Sequence, residues 1–142
     1  ESWVLLSVKN FASRFVEREG NKKYYFCDNG ILNLFLVDGN TSLLENIVAV
    51  NLKRMYGEDV YFYRKNVEVD FYLPMQSALV QVSYSIDDEE TKRRETESLV
   101  KVANFLDAKT LMIITMNEEN TIELCGRQIK VIPLWKWLLK IL

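Results

Sequence analysis

The chain has 142 residues, 49% of them hydrophobic, and its 18 basic and 20 acidic residues give a formal net charge of -2. This length suffices for one domain with a buried core, and the charge balance excludes the broad basic surface of a typical nucleic-acid-binding domain. The sequence contains no histidine, which excludes histidine-based catalysis and histidine-containing zinc sites. We therefore expect any bound metal to be held by oxygen ligands.

Cysteine usage and hydropathy indicate the compartment. Cys27 and Cys125 form no C-x-x-C pair, which favours a reducing environment, and we expect both to be buried thiols. No apolar run reaches the roughly 18 residues that a membrane span requires, and no signal peptide is evident. These features predict a cytoplasmic protein without a membrane partner. Because the first residue is Glu1, we expect residues 1–142 to be a single domain cut from a longer chain.

The first third of the sequence predicts two short strands and one short apolar segment. Residues 3–8 favour a strand, although the residues after them have a spacing that also fits a helix. Residues 23–27 predict a second strand, which the turn residues 28–30 end. Asp28 is placed to cap the apolar segment 31–37.

The strongest helix prediction begins at Ser42. Ser42-Leu43-Leu44-Glu45 matches a capping box, in which the Glu45 carboxylate returns to the backbone of Ser42. Apolar residues then recur at three- and four-residue spacing as far as Gly57, where we expect the helix to end.

Three predicted strands follow this helix as an antiparallel meander, and the last two form a hairpin. Alternation at period two gives each hairpin strand one apolar side and one polar side. If the polar sides face together, they form a small polar site on the sheet. The strands are residues 60–64, 67–72 and 79–84, and the polar residues are Glu68 and Asp70 on one strand and Gln81 and Ser83 on the other.

The rest of the sequence predicts a long helix with acidic residues 87–90 at its N-terminus, then a buried strand over residues 109–115. Two short strands and a terminal amphipathic helix complete the chain. This order predicts an α/β fold with a central mixed β-sheet flanked by helices. The short strands are residues 121–124 and 128–132, and the terminal helix, residues 134–142, carries Trp135 and Trp137.

Glu45, Asp70 and the pair Gln81 and Ser83 are the candidate catalytic positions. A helix glutamate, a strand aspartate and an E-x-K on the next strand is the arrangement of PD-(D/E)XK nucleases. Those enzymes need oxygen ligands on Mg²⁺ and a lysine that steadies the attacking water or the developing charge. Gln81 offers a neutral oxygen and Ser83 carries no charge, so the lysine is missing here. A charge-stabilising group of that kind contributes roughly 10²- to 10³-fold in rate. This pattern favours a vestigial site.

Several motifs also resemble one family along the chain from about residue 3 to the end. The sequence is similar to the C-terminal domain of unknown function attached to many prokaryotic AAA-type ATPases. That resemblance implies a restriction-endonuclease-like fold behind an ATPase module and a winged-helix segment of the same polypeptide. The motifs are Lys23-Tyr24-Tyr25-Phe26, Asp28-Asn29-Gly30, Leu44-Glu45-Asn46, Tyr63-Arg64 and Glu68-Val69-Asp70-Phe71.

The chain departs from this family at its third motif. Many members keep an E-V-K-like sequence where this chain has Gln81 and Ser83, so the departure concerns nuclease activity rather than the fold. The chain also has no phosphate-binding G-x-x-x-x-G-K-[ST] motif, so any ATP chemistry lies outside these residues.

Each candidate residue also has a structural interpretation. The helix glutamate is explained by the capping box, the strand carboxylates by a solvated strand side, and the pair on the next strand by cross-strand hydrogen bonds. A basic residue before the acidic strand either contacts Asp70 or a phosphate, or forms a surface ion pair. Two basic residues of the long helix either supply a displaced cation or follow ordinary helix charge patterning. The candidate nucleic-acid contacts are Arg64, Lys92 and Arg93.

Three functional hypotheses follow. The leading one is a degenerate, non-catalytic nuclease-like module of an AAA-type ATPase, without its own cofactor, for interaction or nucleic-acid engagement. The alternative is a Mg²⁺-dependent nuclease that cleaves phosphodiesters with Glu45, Asp70 and Gln81 as metal ligands. The third is a protein-binding adaptor, in which the terminal tryptophans either close the core or contact a missing domain or a second copy.

Overall fold

The computed structural model describes residues 4–12, 20–34 and 39–141, which form four α-helices and eight β-strands. The helices are α1 (Asn29–Asn33), α2 (Asn40–Tyr56), α3 (Glu89–Leu106) and α4 (Leu134–Ile141). The strands are β1 (Leu5–Asn10), β2 (Lys22–Phe26), β3 (Tyr61–Arg64), β4 (Glu68–Leu73), β5 (Ala78–Val82), β6 (Thr110–Thr115), β7 (Asn120–Leu124) and β8 (Arg127–Pro133).

The eight strands form one mixed sheet in the order β2-β1-β3-β4-β5-β6-β8-β7. The predicted meander is confirmed, because β3, β4 and β5 pair antiparallel, with a short 3₁₀ turn at Pro74–Gln76 between β4 and β5. The next strand, β6, lies between β5 and β8 and runs parallel to both. The hairpin of β1 and β2 joins this sheet through the parallel pairing of β1 with β3. The predicted α/β class, a mixed sheet flanked by helices, is therefore confirmed.

The sheet separates two hydrophobic clusters. One cluster packs α2 and α4 on one face, with Val48, Phe62 and Phe71 among its fully buried side chains. The other packs α3 on the opposite face, with Leu79 and Leu99 among its fully buried side chains. Because burial of such a side chain contributes about 1.5–3 kcal/mol, these two clusters fix both helical layers against the sheet.

The start of α2 corrects one prediction. The helix begins at Asn40 with Gly39 as the N-cap residue, and Leu43 donates its backbone N–H to the Gly39 carbonyl at 2.7 Å. Ser42 therefore lies inside the first turn, and the predicted capping box with Glu45 is wrong. The predicted end is confirmed, because Gly57 follows the last turn with a positive φ of 56°.

Two other helix starts were predicted correctly. Asp88 caps α3 by accepting a hydrogen bond from the Thr91 backbone N–H at 2.7 Å, and Asp28 caps α1 by accepting one from Gly30 at 2.6 Å. Parts of two predictions lie outside the described residues. These are Trp3 of the first strand with the connection at residues 13–19, and the end of the apolar segment at residues 35–37.

The terminal helix and the cysteines divide between core and surface. Trp137 is buried against the core, whereas Trp135 is 56% exposed. Both cysteines are exposed, so the prediction of buried thiols is wrong. Cys27 follows β2 in a bend, and Cys125 lies in the tight turn between β7 and β8, where side chains point to solvent. Across the described ranges, no helix is long and apolar enough to cross a membrane.

Candidate functional site

A bulge in β4 places Asp70 at the candidate site. Tyr72 pairs with Tyr61 and Val69 pairs with Tyr63, so three steps on β4 oppose two steps on β3. The extra residue breaks the alternation that the sequence predicts, because Val69 and Tyr72 pack on the α3 face while Phe71 packs on the α2 face. Asp70 therefore lies where the strand changes the side that it presents.

Beyond the bulge, side chains replace the regular ladder between β4 and β5. The last regular pair is Phe71 with Val80. The Gln81 side-chain oxygen Oε1 accepts the Asp70 backbone N–H at 2.8 Å, and Asp70 Oδ2 accepts the Val82 backbone N–H at 2.8 Å. Both predicted site residues thus bridge the point where the two strands part.

Lys23 of β2 is the cation of the site, and sequence reasoning missed it. Its ammonium lies 2.6 Å from Glu68 Oε1, 3.3 Å from Glu45 Oε1 and 3.5 Å from Asp70 Oδ1. The available signal was strand alternation, because Lys23 shares a side of β2 with Tyr25, which is buried. The hydroxyl of Tyr25 donates to Glu45 Oε1 at 2.7 Å. We call Lys23, Glu45, Glu68 and Asp70 the lysine cluster.

Glu45 therefore has a tertiary role. Its carboxylate reaches from α2 to two residues of β2 instead of capping its own helix. One position along, buried Asn46 accepts the Phe26 backbone N–H at 2.8 Å and donates to the Phe26 carbonyl at 2.8 Å. Together these polar contacts attach β2 to the N-terminal half of α2.

The three predicted nucleic-acid contacts do not share one cavity, because Arg64 lies on β3 whereas Lys92 and Arg93 are neighbours on α3. Arg64 forms a two-point ion pair with Glu68, at 2.7 and 3.0 Å, so the predicted surface ion pair is present with Glu68 as the partner. Lys92 pairs with Glu89 at 3.6 Å and lines a different, acidic cavity. Arg93 is exposed, and in the described chain Arg94 is the α3 cation that lines the site.

Gln81 and Ser83 do not form a shared polar surface. Gln81 points to the α3 face, where its Nε2 donates to Glu95 Oε2 at 2.7 Å. Ser83 is buried beyond the end of β5, and its hydroxyl donates to the Ser85 carbonyl at 2.8 Å. The structure brings Glu45, Asp70 and Gln81 to the wall of one cavity of about 420 Å³, and Ser83 is not among the residues that line it.

Glu95 is the second residue that sequence reasoning missed. It is 8% exposed on the inner side of α3, and its Oε1 accepts from Arg94 Nη2 at 2.8 Å. Its signal was helical spacing, because Leu99 and Val102 follow it at i+4 and i+7 and are both buried. A carboxylate in that apolar stripe requires polar partners, and Gln81 and Arg94 supply them.

A second cavity of about 360 Å³ adjoins the first and shares Glu45 and Glu68 with it. Lys23, Tyr25 and Arg64 line this second space. The lysine cluster therefore stands between two open cavities.

Burial and neighbouring charges set the pKa values of the lysine cluster. Burial, followed by the charge of Glu45, raises the pKa of Asp70 to about 7 against the opposing effect of Lys23. Burial alone would lower the pKa of Lys23, but Asp70, Glu45 and Glu68 outweigh it and raise that pKa. Burial acts to raise the pKa of Glu68, but Arg64 and Lys23 outweigh it and lower that pKa. Near neutral pH, Lys23 is thus charged while Asp70 exchanges its proton.

The present arrangement is that of an internal ion-pair cluster. In residues 4–12, 20–34 and 39–141, no group of three or more acidic or cysteine side chains is close enough together to hold a metal ion. The nearest carboxylate oxygens instead converge on the Lys23 ammonium. These ion pairs connect β2 to α2 and β4.

Comparisons with protein-family models, with curated proteins and with solved structures each returned no match. The chemistry of the site therefore rests on its own contacts. Those contacts give two features to explain, the ammonium of Lys23 among three carboxylates and the Gln81 amide that bonds to both Asp70 and Glu95.

Proposed function

We propose that this chain is a restriction-endonuclease-like domain without catalytic activity, which serves as an interaction module of an AAA-type ATPase. The observation that carries the proposal is the position of Lys23, whose ammonium lies within 3.5 Å of Glu45, Glu68 and Asp70. A positive charge at these distances offsets the charge that would attract a divalent cation. The carboxylates are thus engaged in holding the fold together.

The order of elements supports the fold assignment within this proposal. A helix with the site glutamate, α2, precedes the three-stranded meander, and α3 then crosses over to the parallel strand β6. Asp70 lies on the middle strand of the meander and Glu45 lies on the preceding helix. Restriction-endonuclease-like domains share this meander followed by a long helix.

The third motif supports the loss of catalysis. Gln81 is neutral, and its side chain is hydrogen-bonded both to the Asp70 backbone and to Glu95. Ser83, at the position of the family lysine, is buried and bonds to Ser85. Without a lysine to steady developing charge, the rate falls by roughly 10²- to 10³-fold.

The test of catalysis is an assay of the purified chain on single- and double-stranded DNA and on RNA, with millimolar Mg²⁺ or Mn²⁺. We expect no cleavage above that of the Asp70→Ala variant. A matched control is Asp59→Asn, because Asp59 accepts a hydrogen bond from the exposed Met75 backbone and does not line the site cavity. Metal-dependent cleavage that Asp70→Ala abolishes and Asp59→Asn retains would overturn the proposal.

A Mg²⁺-dependent nuclease is the second candidate function. The observation that favours it is the shared cavity of about 420 Å³, which Glu45, Asp70 and Gln81 all line. This function requires calorimetric binding of Mg²⁺ or Mn²⁺ that is lost in Asp70→Ala and Glu45→Gln. Absence of binding heat at millimolar metal would exclude it.

The interaction role is tested in the full-length polypeptide. Trp135 is 56% and Leu139 is 64% exposed, and they are four residues apart on α4, so they form an apolar strip on one helix face. We expect Trp135→Ser with Leu139→Ser to change the assembly size or the ATP hydrolysis rate of the full-length protein. Phe105→Ser, which alters a 70% exposed residue of α3 on the other sheet face, is the control. Equal assembly and hydrolysis in both variants would contradict a role of α4.

A further inference from the structure

We propose that Lys23 is an intramolecular counter-cation that occupies the place of a divalent metal ion between Glu45, Glu68 and Asp70. Metal then binds this site only when the ammonium is removed. This inference rests on the proposed function, since it gives the physical reason why the nuclease-like site is inactive. The group that excludes metal from the site is thus on β2, outside the predicted catalytic positions.

Three carboxylates surround the ammonium of Lys23. One amino group faces carboxylates from two other elements, α2 and β4, at 3.3, 2.6 and 3.5 Å. Lys23 is 19% exposed, and the three carboxylate side chains are 21%, 37% and 16% exposed. An ammonium has three donors, which matches three separate carboxylates better than the planar fork of an arginine does.

Other lysine ion pairs of the described chain differ from this cluster. Lys53 has Glu58 as its carboxylate partner, and Lys109 has Asp107. Both acidic partners are largely exposed, at 87% and 78%, as in ordinary surface pairs that contribute little. Lys23 joins three carboxylates, so its arrangement resembles that of a coordinated cation.

The site holds more acidic than basic side chains. The three carboxylates would bring up to three negative charges into a half-buried site, against Lys23 and the outer ion pair of Arg64 with Glu68. Gln81 adds no charge and occupies both ends of its amide in hydrogen bonds. Loss of the ammonium therefore leaves like charges close together, with oxygen donors of the type that Mg²⁺ and Mn²⁺ prefer.

The distances explain why the present arrangement suits the ammonium. Nitrogen–oxygen contacts of 2.6 to 3.5 Å exceed the roughly 2.0–2.1 Å of Mg²⁺–oxygen bonds. Side chains must therefore turn inward by about 1 Å to hold a metal, and the open cavities on both sides of Glu45 and Glu68 allow such a movement.

The experiment replaces the ammonium and adds metal. Lys23→Met keeps an unbranched apolar stem without the charge, and Lys53→Met is the matched control at an ordinary pair. We expect Mn²⁺ to bind Lys23→Met about tenfold or more tightly than wild type and to raise its melting temperature, while wild type and Lys53→Met do not respond. The double variant Lys23→Met with Asp70→Asn should lose the response.

A folded Lys23→Met that does not respond to Mn²⁺ would overturn the inference, as would wild-type binding of equal affinity. If Lys23→Met is partly unfolded without metal, far-UV circular dichroism during Mn²⁺ addition tests the same point. Recovery of structure with Mn²⁺ but not with Na⁺ at equal ionic strength supports it, and no recovery contradicts it. Failure of Lys23→Met together with an inactive wild type refutes this inference only, whereas metal-dependent cleavage by wild type refutes the proposed function.

Discussion

The two faces of the sheet compensate their acidic groups in different ways. On the α2 face, Glu45, Glu68 and Asp70 are held by the ammonium of Lys23. On the α3 face, buried Glu95 is held by the neutral amide of Gln81 and by its own neighbour Arg94.

The α2-face cluster therefore depends on several charges at once, whereas the α3-face carboxylate has one ion pair and a hydrogen bond to a neutral amide. Removing or titrating one charge of an ionic cluster leaves the other charges uncompensated. The resulting loss of unfolding free energy is larger for a partly buried cluster than for a surface pair. A hydrogen-bonded amide keeps its contacts across the same pH range but tolerates no added charge. The polar residues of the candidate site therefore belong to two networks, which meet where Gln81 accepts the Asp70 backbone N–H.

Asp70→Asn should produce the largest effect, and the effect depends on pH. The pKa of Asp70 in the fold is about 7, above an unfolded value of roughly 3.9, so the folded state binds this proton more strongly. The stabilisation that comes from protonated Asp70 is fully present below about pH 4 and is lost as the pH rises through about 7. It amounts to at most about 4 kcal/mol, and asparagine, which does not ionise, removes this slope.

Urea unfolding of wild type and Asp70→Asn at about pH 4, 5.5 and 8 measures this slope. We expect the asparagine variant to gain stability relative to wild type as the pH rises. Equal pH profiles for the two proteins would contradict the raised pKa of Asp70 in the folded state.

Asn46→Ala tests the uncharged contacts that attach β2 beside the lysine cluster. Asn46 is 1% exposed and bonds to both backbone groups of Phe26 and to the Asn29 side chain. Because its removal leaves buried polar groups without partners, we expect a loss of about 3 kcal/mol in unfolding free energy. Asn51→Ala is the control, since Asn51 donates to the carbonyl of Ile47 in its own helix. Equal losses in both variants would contradict this anchoring role.

Gln81→Glu would place a second carboxylate beside Glu95 on the α3 face. The new carboxylate would stand where an amide now lies 2.7 Å from Glu95 Oε2. We expect a loss of about 2 kcal/mol at pH 8 and a smaller loss at pH 5, where a shared proton relieves the repulsion. Gln76→Glu, at an exposed position of the 3₁₀ turn, is the matched control. A loss of stability that is independent of pH would point to altered packing instead of charge.

Arg64→Ala should have the smallest effect. Its ion pair with Glu68 is short, but the two side chains are 52% and 37% exposed. We expect a loss of about 0.5–1 kcal/mol that shrinks in roughly 1 M salt, where charges are screened within about 3 Å. Thermal unfolding at low and high salt measures it, and a large loss that is independent of salt would place Arg64 inside the lysine cluster.

Local patterns predicted the elements around the site because their signals lie within a few residues. Asp88 caps its helix through a neighbour three residues away, and Gly57 ends α2 through its own backbone freedom. The capping-box prediction for Glu45 failed because Gly39 begins the helix earlier and leaves the carboxylate to tertiary partners.

Strand alternation predicted the meander but not the bulge. The period-two pattern assigned Val69 and Phe71 to one side of β4, whereas the extra residue against β3 puts them on opposite faces. A bulge depends on the register with a neighbouring strand, so the sequence of β4 alone carries no signal for it. The same register decides which way Asp70 points.

The sequence by itself determined the α/β order, the meander and the two long helices. Only the tertiary structure decided what neutralises the site. Lys23 and Asp70 are 47 residues apart, and they meet because β1 joins β2 on one side and β3 on the other. Local spacing encodes which side of an element is buried, but strand order and register set which charges share that space.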